Sequence, residues 1–145
     1  MKTVDIYIDT SIKGPKRRDG WYTYIIAMDT AAGTADTGDT IKVEDTTENQ
    51  TTLFALEAAL KRIKKSCHLV LHLENNYVAA ALKNRWYEQW WHDGWMTAKN
   101  KPVCDVAIWQ NIQCLLNAHD FEVQLKQPHT YREWMKEKLK EKEGK

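Results

Sequence analysis

The sequence contains few cysteines and no long run of apolar residues. Its three cysteines, Cys67, Cys104 and Cys114, are odd in number and lack the spacing of metal ligands, which argues against a disulfide framework and against a zinc site. We expect buried free thiols instead. No stretch approaches the about 20 apolar residues of a membrane span. The first residues alternate between polar and apolar, where a signal peptide would have an apolar core, so the expected location is cytoplasmic.

A strong net charge is also missing. Lysine and arginine number 21 against 20 aspartates and glutamates, a formal charge of +1. The total charge therefore gives no sign of a nucleic-acid partner, and only the distribution of charges could. The hydrophobic share of 43% and the charged share of 28% are ordinary for a globular protein. A length of 145 residues predicts one domain, residues 1–145, with a substantial core.

Alternation of apolar and polar residues predicts strands in the first third of the chain. Val4, Ile6 and Ile8 alternate with polar neighbours, and a second strand covers residues 21–28. A third, weak strand is indicated only by Ile41 and Val43. Three consecutive strands of this kind predict an antiparallel meander.

The period then changes to that of a helix, from about Asn49, with Thr46 or Thr47 as candidate caps. Residues 68–73 predict a short buried strand that lies parallel to the first. The remaining predicted elements are a helix from residue 75, a strand at 121–125 and a charged helix at about 131–142. Five strands and four or five helices in this order predict an α/β protein with a mixed sheet.

A stretch rich in tryptophan, residues 82–110, interrupts this regular pattern. Gly94 predicts the end of one helix, and Pro102 suits the first turn of the next, which should run from about Val103 to Asn117. Spacing within that second helix predicts these core residues: Val106, Trp109, Ile112, Cys114 and Leu116. The stretch holds five of the seven tryptophans, Trp86, Trp90, Trp91, Trp95 and Trp109.

The pattern W-x3-W-x4-W-x-T-A-x2-K-P-V-x2-V-x2-W-Q resembles the substrate-binding handle of type 1 ribonucleases H, which cut RNA in RNA/DNA hybrids. The handle would cover about residues 83–102. The resemblance implies the ribonuclease H-like fold: a five-stranded mixed sheet, three antiparallel strands followed by two parallel ones, flanked by helices. It also implies Mg²⁺ or Mn²⁺, held in the family by an Asp, a Glu, an Asp and a last Asp for displacement at phosphorus.

Two of these four acids have counterparts. The stretch VDIYIDTS is similar to the family's first-strand motif and makes Asp9 a metal ligand and catalytic residue. Glu74 follows HLVLHL and opens E-N-N-Y-V, which is similar to the family's D-S-x-Y-V. We therefore predict Asp9 and Glu74 as the metal ligands.

The other two acids depart from the family pattern. Thr52 stands where the metal-bridging Glu belongs, and Glu48, one helical turn earlier, is the candidate substitute. The last Asp has no counterpart, with Met135 or Lys136 near its position, while His129 could replace a catalytic loop histidine. Two carboxylates supply only −2 against the +4 of two ions, so the site should hold metal weakly, as one ion or none. We interpret the chain as a divergent member with an incomplete active site.

Candidate contacts with nucleic acid fall into two groups. Basic residues cluster in the first loop beside Asp9, and the handle carries exposed cations and aromatic rings that could lie against sugars or bases. The predicted contacts are Ser11, Lys13, Lys16, Arg17, Arg18, Asn49, Asn76, Trp91, Trp95, Lys99 and Lys101.

Three functions remain open at this point. The favoured one is binding of an RNA/DNA hybrid, or a related duplex, with impaired or absent cleavage. The first alternative is an active Mg²⁺- or Mn²⁺-dependent hybrid endoribonuclease. It would use Asp9, Glu74 and a relocated acid such as Glu48, Glu133 or Glu137. A protein-interaction domain that uses the tryptophan-rich handle is the second.

Overall fold

The computed structural model describes residues 2–144, which form five strands and five helices. The strands are β1 (Thr3–Thr10), β2 (Arg18–Thr30), β3 (Gly33–Thr46), β4 (His68–Leu73) and β5 (Asp120–Leu125). The helices are α1 (Glu48–Lys61), α2 (Asn76–Lys83), α3 (Trp86–His92), α4 (Val106–Leu116) and α5 (Arg132–Glu143).

One mixed sheet has the strand order β3-β2-β1-β4-β5. β1 and β2 are antiparallel, as are β2 and β3, whereas β4 pairs with β1 and β5 pairs with β4 in parallel. This confirms the predicted fold of three antiparallel strands followed by two parallel ones. β1 is the central strand of this order. Its carboxyl end therefore lies between the neighbouring strands β2 and β4.

The third strand is much longer than its sequence signal. β3 runs for 14 residues and pairs with β2 from Arg18–Thr46 to Thr30–Gly33. It forms one edge of the sheet and most of its side chains are exposed. Because neither face of such a strand must be apolar, alternation could not reveal its length.

Helix starts follow local capping chemistry. Thr47 caps α1 by accepting from the Gln50 N–H, and Asn75 caps α2 by accepting from the Val78 N–H. The prediction for Pro102 was wrong: α4 begins only at Val106, and Pro102 forms an isolated bridge with Met96. Asp105 has a left-handed backbone conformation, with φ 60°, so the right-handed helix cannot begin before Val106.

The main core lies between the sheet and helices α1, α2 and α4. Trp109 is fully buried, stacked on Tyr87 at 6.1 Å and in edge contact with Trp90 at 5.5 Å. Two of the predicted buried thiols are exposed, because Cys104 lies ahead of α4 and Cys114 on its outer face, and only Cys67 is buried. Cys114 therefore does not belong to the core.

Within residues 2–144, none of the helices is long and apolar enough to cross a bilayer.

Candidate functional site

Two acidic side chains meet where the central strands end. Asp9 is the penultimate residue of β1, and Glu74 directly follows β4. The two strands pair in parallel with Tyr7 opposite His72, so two further residues bring Asp9 beside Glu74. Their side chains are only 5% and 11% exposed. Strand pairing thus brings together the two acids that the sequence singled out.

The partners of both carboxylates are cations of the chain itself. The Lys13 ammonium lies 2.9 Å from Asp9 Oδ1, and Arg132 Nη2 donates to Glu74 Oε1 at 2.9 Å. The Lys136 ammonium bridges the pair, at 3.9 Å from Asp9 Oδ2 and 3.7 Å from Glu74 Oε1. Three cations therefore surround two nearly buried acids.

The last helix presents Lys136 to the site and turns Met135 away from it. Met135 is 1% exposed and packs with Tyr7, Ile25 and Ala27, against the face of the sheet opposite the main core. Of the two positions expected near the family's last Asp, Lys136 is therefore the one that faces the carboxylates. The side chain that α5 directs at Asp9 and Glu74 is therefore the cation of Lys136.

Glu48 and Thr52 border the same depression as Asp9 and Glu74. The Glu48 carboxylate accepts from the Gly14 N–H at 2.8 Å and from Asn75 Nδ2 at 3.2 Å. The Thr52 hydroxyl donates to the Glu48 carbonyl at 2.9 Å within α1. Glu48 thus turns toward the depression, while the Thr52 proton is engaged by its own helix.

Charge at this site is balanced without a metal ion. Asp9, Glu48 and Glu74 supply −3, and three cations, Lys13, Arg132 and Lys136, supply +3. The pKa of Arg132 is raised by its hydrogen bond to Glu74 and by the negative charge of Glu74. The Arg132 guanidinium therefore stays charged throughout the ordinary pH range. Mg²⁺ prefers negatively charged oxygen ligands, and within residues 2–144 no three His, Cys, Asp or Glu side chains are arranged to hold a metal. The residues present do not fit two divalent ions.

His129 is packed into an aromatic cluster. Its ring lies 4.4 Å from that of Tyr7 and 5.5 Å from that of His72, and its Nδ1 accepts from the Tyr131 N–H at 3.2 Å. Burial lowers the pKa of His129, and the neighbouring His72 acts in the same direction. The loop histidine is therefore neutral and positioned by its neighbours at neutral pH.

Sequence reasoning missed Asn75 and Arg132. Asn75 is 4% exposed, and its Nδ2 donates to Asn49 Oδ1 at 2.9 Å as well as to Glu48. An asparagine between a strand and a helix is a capping signal that could have identified it. Arg132 offered no such signal, because its contact with Glu74 spans 58 residues of sequence.

The basic loop is less available than its composition implies. Arg17 pairs with Asp45 at 3.0 Å and Arg18 with Glu143 at 2.6 Å. The Ser11 hydroxyl accepts from the Trp21 N–H at 2.9 Å, which holds the loop base. Lys16 is exposed, and its ammonium pairs with no carboxylate of residues 2–144.

A groove of about 500 Å³ adjoins the carboxylate depression, with which it shares Glu48 and Asn75, and reaches the residues just before α4. Its lining includes four residues singled out above, Arg17, Glu48, Asn49 and Asn76. In the handle, the Trp91 ring is 65% exposed, whereas Trp95 packs partly against the core. Lys99 and Lys101 are exposed on the loop that follows.

Comparison with known proteins identifies the family of the chain. The model of the RNase H family matches residues 1–133. The chain belongs to the RNase H family. Ribonuclease H of Chlorobaculum parvum is 29% identical over 118 residues, covering 81% of this chain and 77% of the relative. Ribonuclease H of Agrobacterium fabrum is 32% identical over 123 residues, covering 82% and 77%.

Solved structures share the RNase H fold at lower identity. LC9-RNase H1, described as a type 1 RNase H with the type 2 active-site motif, matches with a TM-score of 0.79 and 18% identity, over 99% of this chain and 74% of that one. The foamy viral protease-reverse transcriptase in complex with RNA/DNA hybrid matches with a TM-score of 0.70 and 19% identity, over 95% and 19%. These likenesses concern the fold.

Proposed function

We propose that this RNase H-family protein binds RNA/DNA hybrids, or related duplexes, and cleaves them slowly or not at all. The observation that carries the proposal is the charge balance around Asp9 and Glu74. Three cations of the chain neutralise the acids that would otherwise attract divalent ions. Without strong metal binding, the family's displacement at phosphorus loses the charge stabilisation on which it depends.

The position of Thr52 supports slow cleavage independently. In the family this helix position carries the metal-bridging Glu, and threonine offers a hydroxyl without charge. If the missing carboxylate removes about 4 kcal/mol of transition-state stabilisation, the rate falls roughly a thousandfold. The Thr52 hydroxyl also has an acceptor in its own helix, which further weakens it as a ligand.

Duplex binding would use the groove and the handle. Phosphate contacts would come from exposed ammonium groups at Lys16, Lys99 and Lys101. Trp91 would supply an exposed ring for a sugar or a base. Because few unpaired cations line this path, affinity should be modest and should fall with a shallow slope as salt rises.

The test compares binding and cleavage on one labelled hybrid. We expect wild-type protein to bind it about equally in Mg²⁺ and in a chelator, with little cleavage in Mg²⁺ or Mn²⁺. Asp9→Asn, which is nearly isosteric, serves as the control for any cleavage that does occur. Rapid cleavage abolished by Asp9→Asn would contradict impaired catalysis, and absence of saturable binding would contradict the binding function.

An active endoribonuclease is the second candidate, and the position of Glu48 favours it. Glu48 borders one depression with Asp9 and Glu74, so a third carboxylate is near although a turn away from the family position. In that case Glu48→Gln should reduce cleavage as strongly as Asp9→Asn. Cleavage unchanged in Glu48→Gln would remove this candidate.

A further inference from the structure

A second cavity lies at the opposite end of the sheet from the carboxylates. It has a volume of about 470 Å³ and is bordered by the start of β1, the end of β2, the end of α1 and the residues before β4. Val4, one of its lining residues, precedes Asp9 by five positions in β1, a separation of about 16 Å along the strand. The volume is within the range of small-molecule sites.

Positive charge at this cavity has no acidic counterpart. Four cations, Lys2, Arg62, Lys64 and Lys65, line it, and among residues 2–144 no Asp or Glu does. None of the four takes part in an ion pair within residues 2–144. The carboxylate site is balanced, whereas the described residues that line this cavity carry an excess of +4. Such a local excess favours an anionic ligand.

Arg62 is held in place by neutral partners. Its Nη1 donates to the Tyr24 hydroxyl at 3.2 Å and its Nη2 to the Thr37 hydroxyl at 3.0 Å. Its guanidinium also lies 5.9 Å from the centre of the Tyr24 ring. These contacts orient the side chain and leave its charge uncompensated. The remaining N–H groups can donate to a carboxylate or a phosphate.

The floor of the cavity is aliphatic. Val4, Ile26 and Cys67 are 2–6% exposed, and Met28 and Ile63 are partly buried beside them. In the part of the chain that the structure describes, no aromatic side chain lines the cavity, so these residues offer no ring for stacking a nucleobase. A flexible methionine and branched side chains suit an alkyl chain.

We propose that this cavity binds a soluble anionic amphiphile, a fatty carboxylate or an alkyl phosphate. Its alkyl chain would lie on the aliphatic floor and its headgroup at the four cations. Burial of the chain supplies affinity in proportion to the apolar area removed from water. The cations then select anionic headgroups over neutral or positive ones. The site and its ligand are separate from hybrid binding at the carboxylate end.

Methyl NMR with the full chain tests the proposal. Decyl phosphate and decanoate, each titrated below its micelle concentration, should shift the methyl signals of Val4, Ile26, Met28 and Ile63 saturably. Decyltrimethylammonium has the same chain and the opposite charge and should leave them nearly unchanged. Equal shifts with this cation would overturn the anionic preference.

Substitutions test whether the cations bind the headgroup of the ligand. Lys64→Gln with Lys65→Gln should weaken decyl phosphate binding roughly tenfold, the equivalent of about 1.4 kcal/mol. The matched control, Lys138→Gln with Lys140→Gln on α5, removes two charges elsewhere and should change binding less than twofold. Equal weakening by both pairs would overturn a local site.

Three further probes identify other occupants. Inorganic phosphate or a single-stranded oligonucleotide that shifts the same methyls as strongly as decyl phosphate would make this a polyanion surface. Association only with vesicles of phosphatidylglycerol would make a membrane surface the partner. Each of these results would overturn the proposal of a soluble anionic amphiphile. Hybrid binding measured on the same sample would be unaffected.

Discussion

Reversing charge around Asp9 should create a divalent metal site. Thr52→Glu adds one negative charge, and Lys136→Asp replaces a cation by an anion, so the double variant is three charge units more negative than the balanced wild-type site. Both positions face the same depression or its carboxylates. The substitutions therefore act on one ion rather than on two separate regions.

The magnitude follows from distance and screening. Two unit charges 4 Å apart interact by about 4 kcal/mol at an effective dielectric constant of about 20, and a divalent ion doubles this. The Lys136 side chain is 41% exposed, so solvent reduces the effect substantially. We expect at least about 2.7 kcal/mol in favour of Mn²⁺, which corresponds to roughly hundredfold tighter binding.

Calorimetry and Mn²⁺ paramagnetic resonance on the purified variants measure this directly. Thr52→Gln with Lys136→Asn is the matched control, because it changes the same side chains without adding negative charge. Adding Asp9→Asn to the double variant should remove most of the gain. A control variant that binds Mn²⁺ as tightly as the charged one, or a wild type that already does so through Asp9, would refute the account of the site.

Three further predictions concern the core, the groove and the last helix. Trp109→Ala should lower the free energy of unfolding by about 3–5 kcal/mol in urea titrations, whereas Trp91→Ala, at an exposed position, should change it by less than about 0.5 kcal/mol. Lys16→Ala should reduce the salt slope of hybrid binding by about one unit, and Arg17→Ala by less, because a neighbouring carboxylate already offsets that charge. A hydrogen bond to a carboxylate on β3 raises the pKa of Tyr131 to about 12. Ultraviolet titration should therefore show a tyrosine with this pKa, and the signal should be absent from Tyr131→Phe. The stability that this hydrogen bond contributes is complete below the ordinary tyrosine pKa of 10 and is lost as the pH rises through about 12.

Regular alternation made the centre of the fold predictable. Val4, Ile6 and Ile8 alternate because one face of β1 is buried under helices. Leu69, Leu71 and Leu73 alternate in β4 because they face the same core. The motif around Asp9 could then be placed at a strand end. Glu74 was predicted from the resemblance of E-N-N-Y-V to a family motif, and parallel pairing of β1 with β4 places it beside Asp9.

Long-range ion pairs could not be predicted in the same way. The contact between Arg18 and Glu143 joins positions 125 residues apart, and no local pattern anticipates it. The cations around Asp9 and Glu74 come from the first loop and from α5, which share no sequence signal. Pro102 shows a further limit, because its preference for a helix start is satisfied equally by an extended bridge.

The long edge strand has a consequence for behaviour in concentrated solution. β3 ends the sheet, so the backbone groups along its outer edge have no strand partner within residues 2–144, and such an edge can pair with the same edge of another copy. Along its length β3 carries Asp36, Asp39, Glu44 and Asp45 against Lys42, and an antiparallel pair of copies would bring these like charges close together. We expect repulsion between these carboxylates to keep the molecules apart. Salt screens such repulsion, so light scattering should reveal self-association as the ionic strength rises.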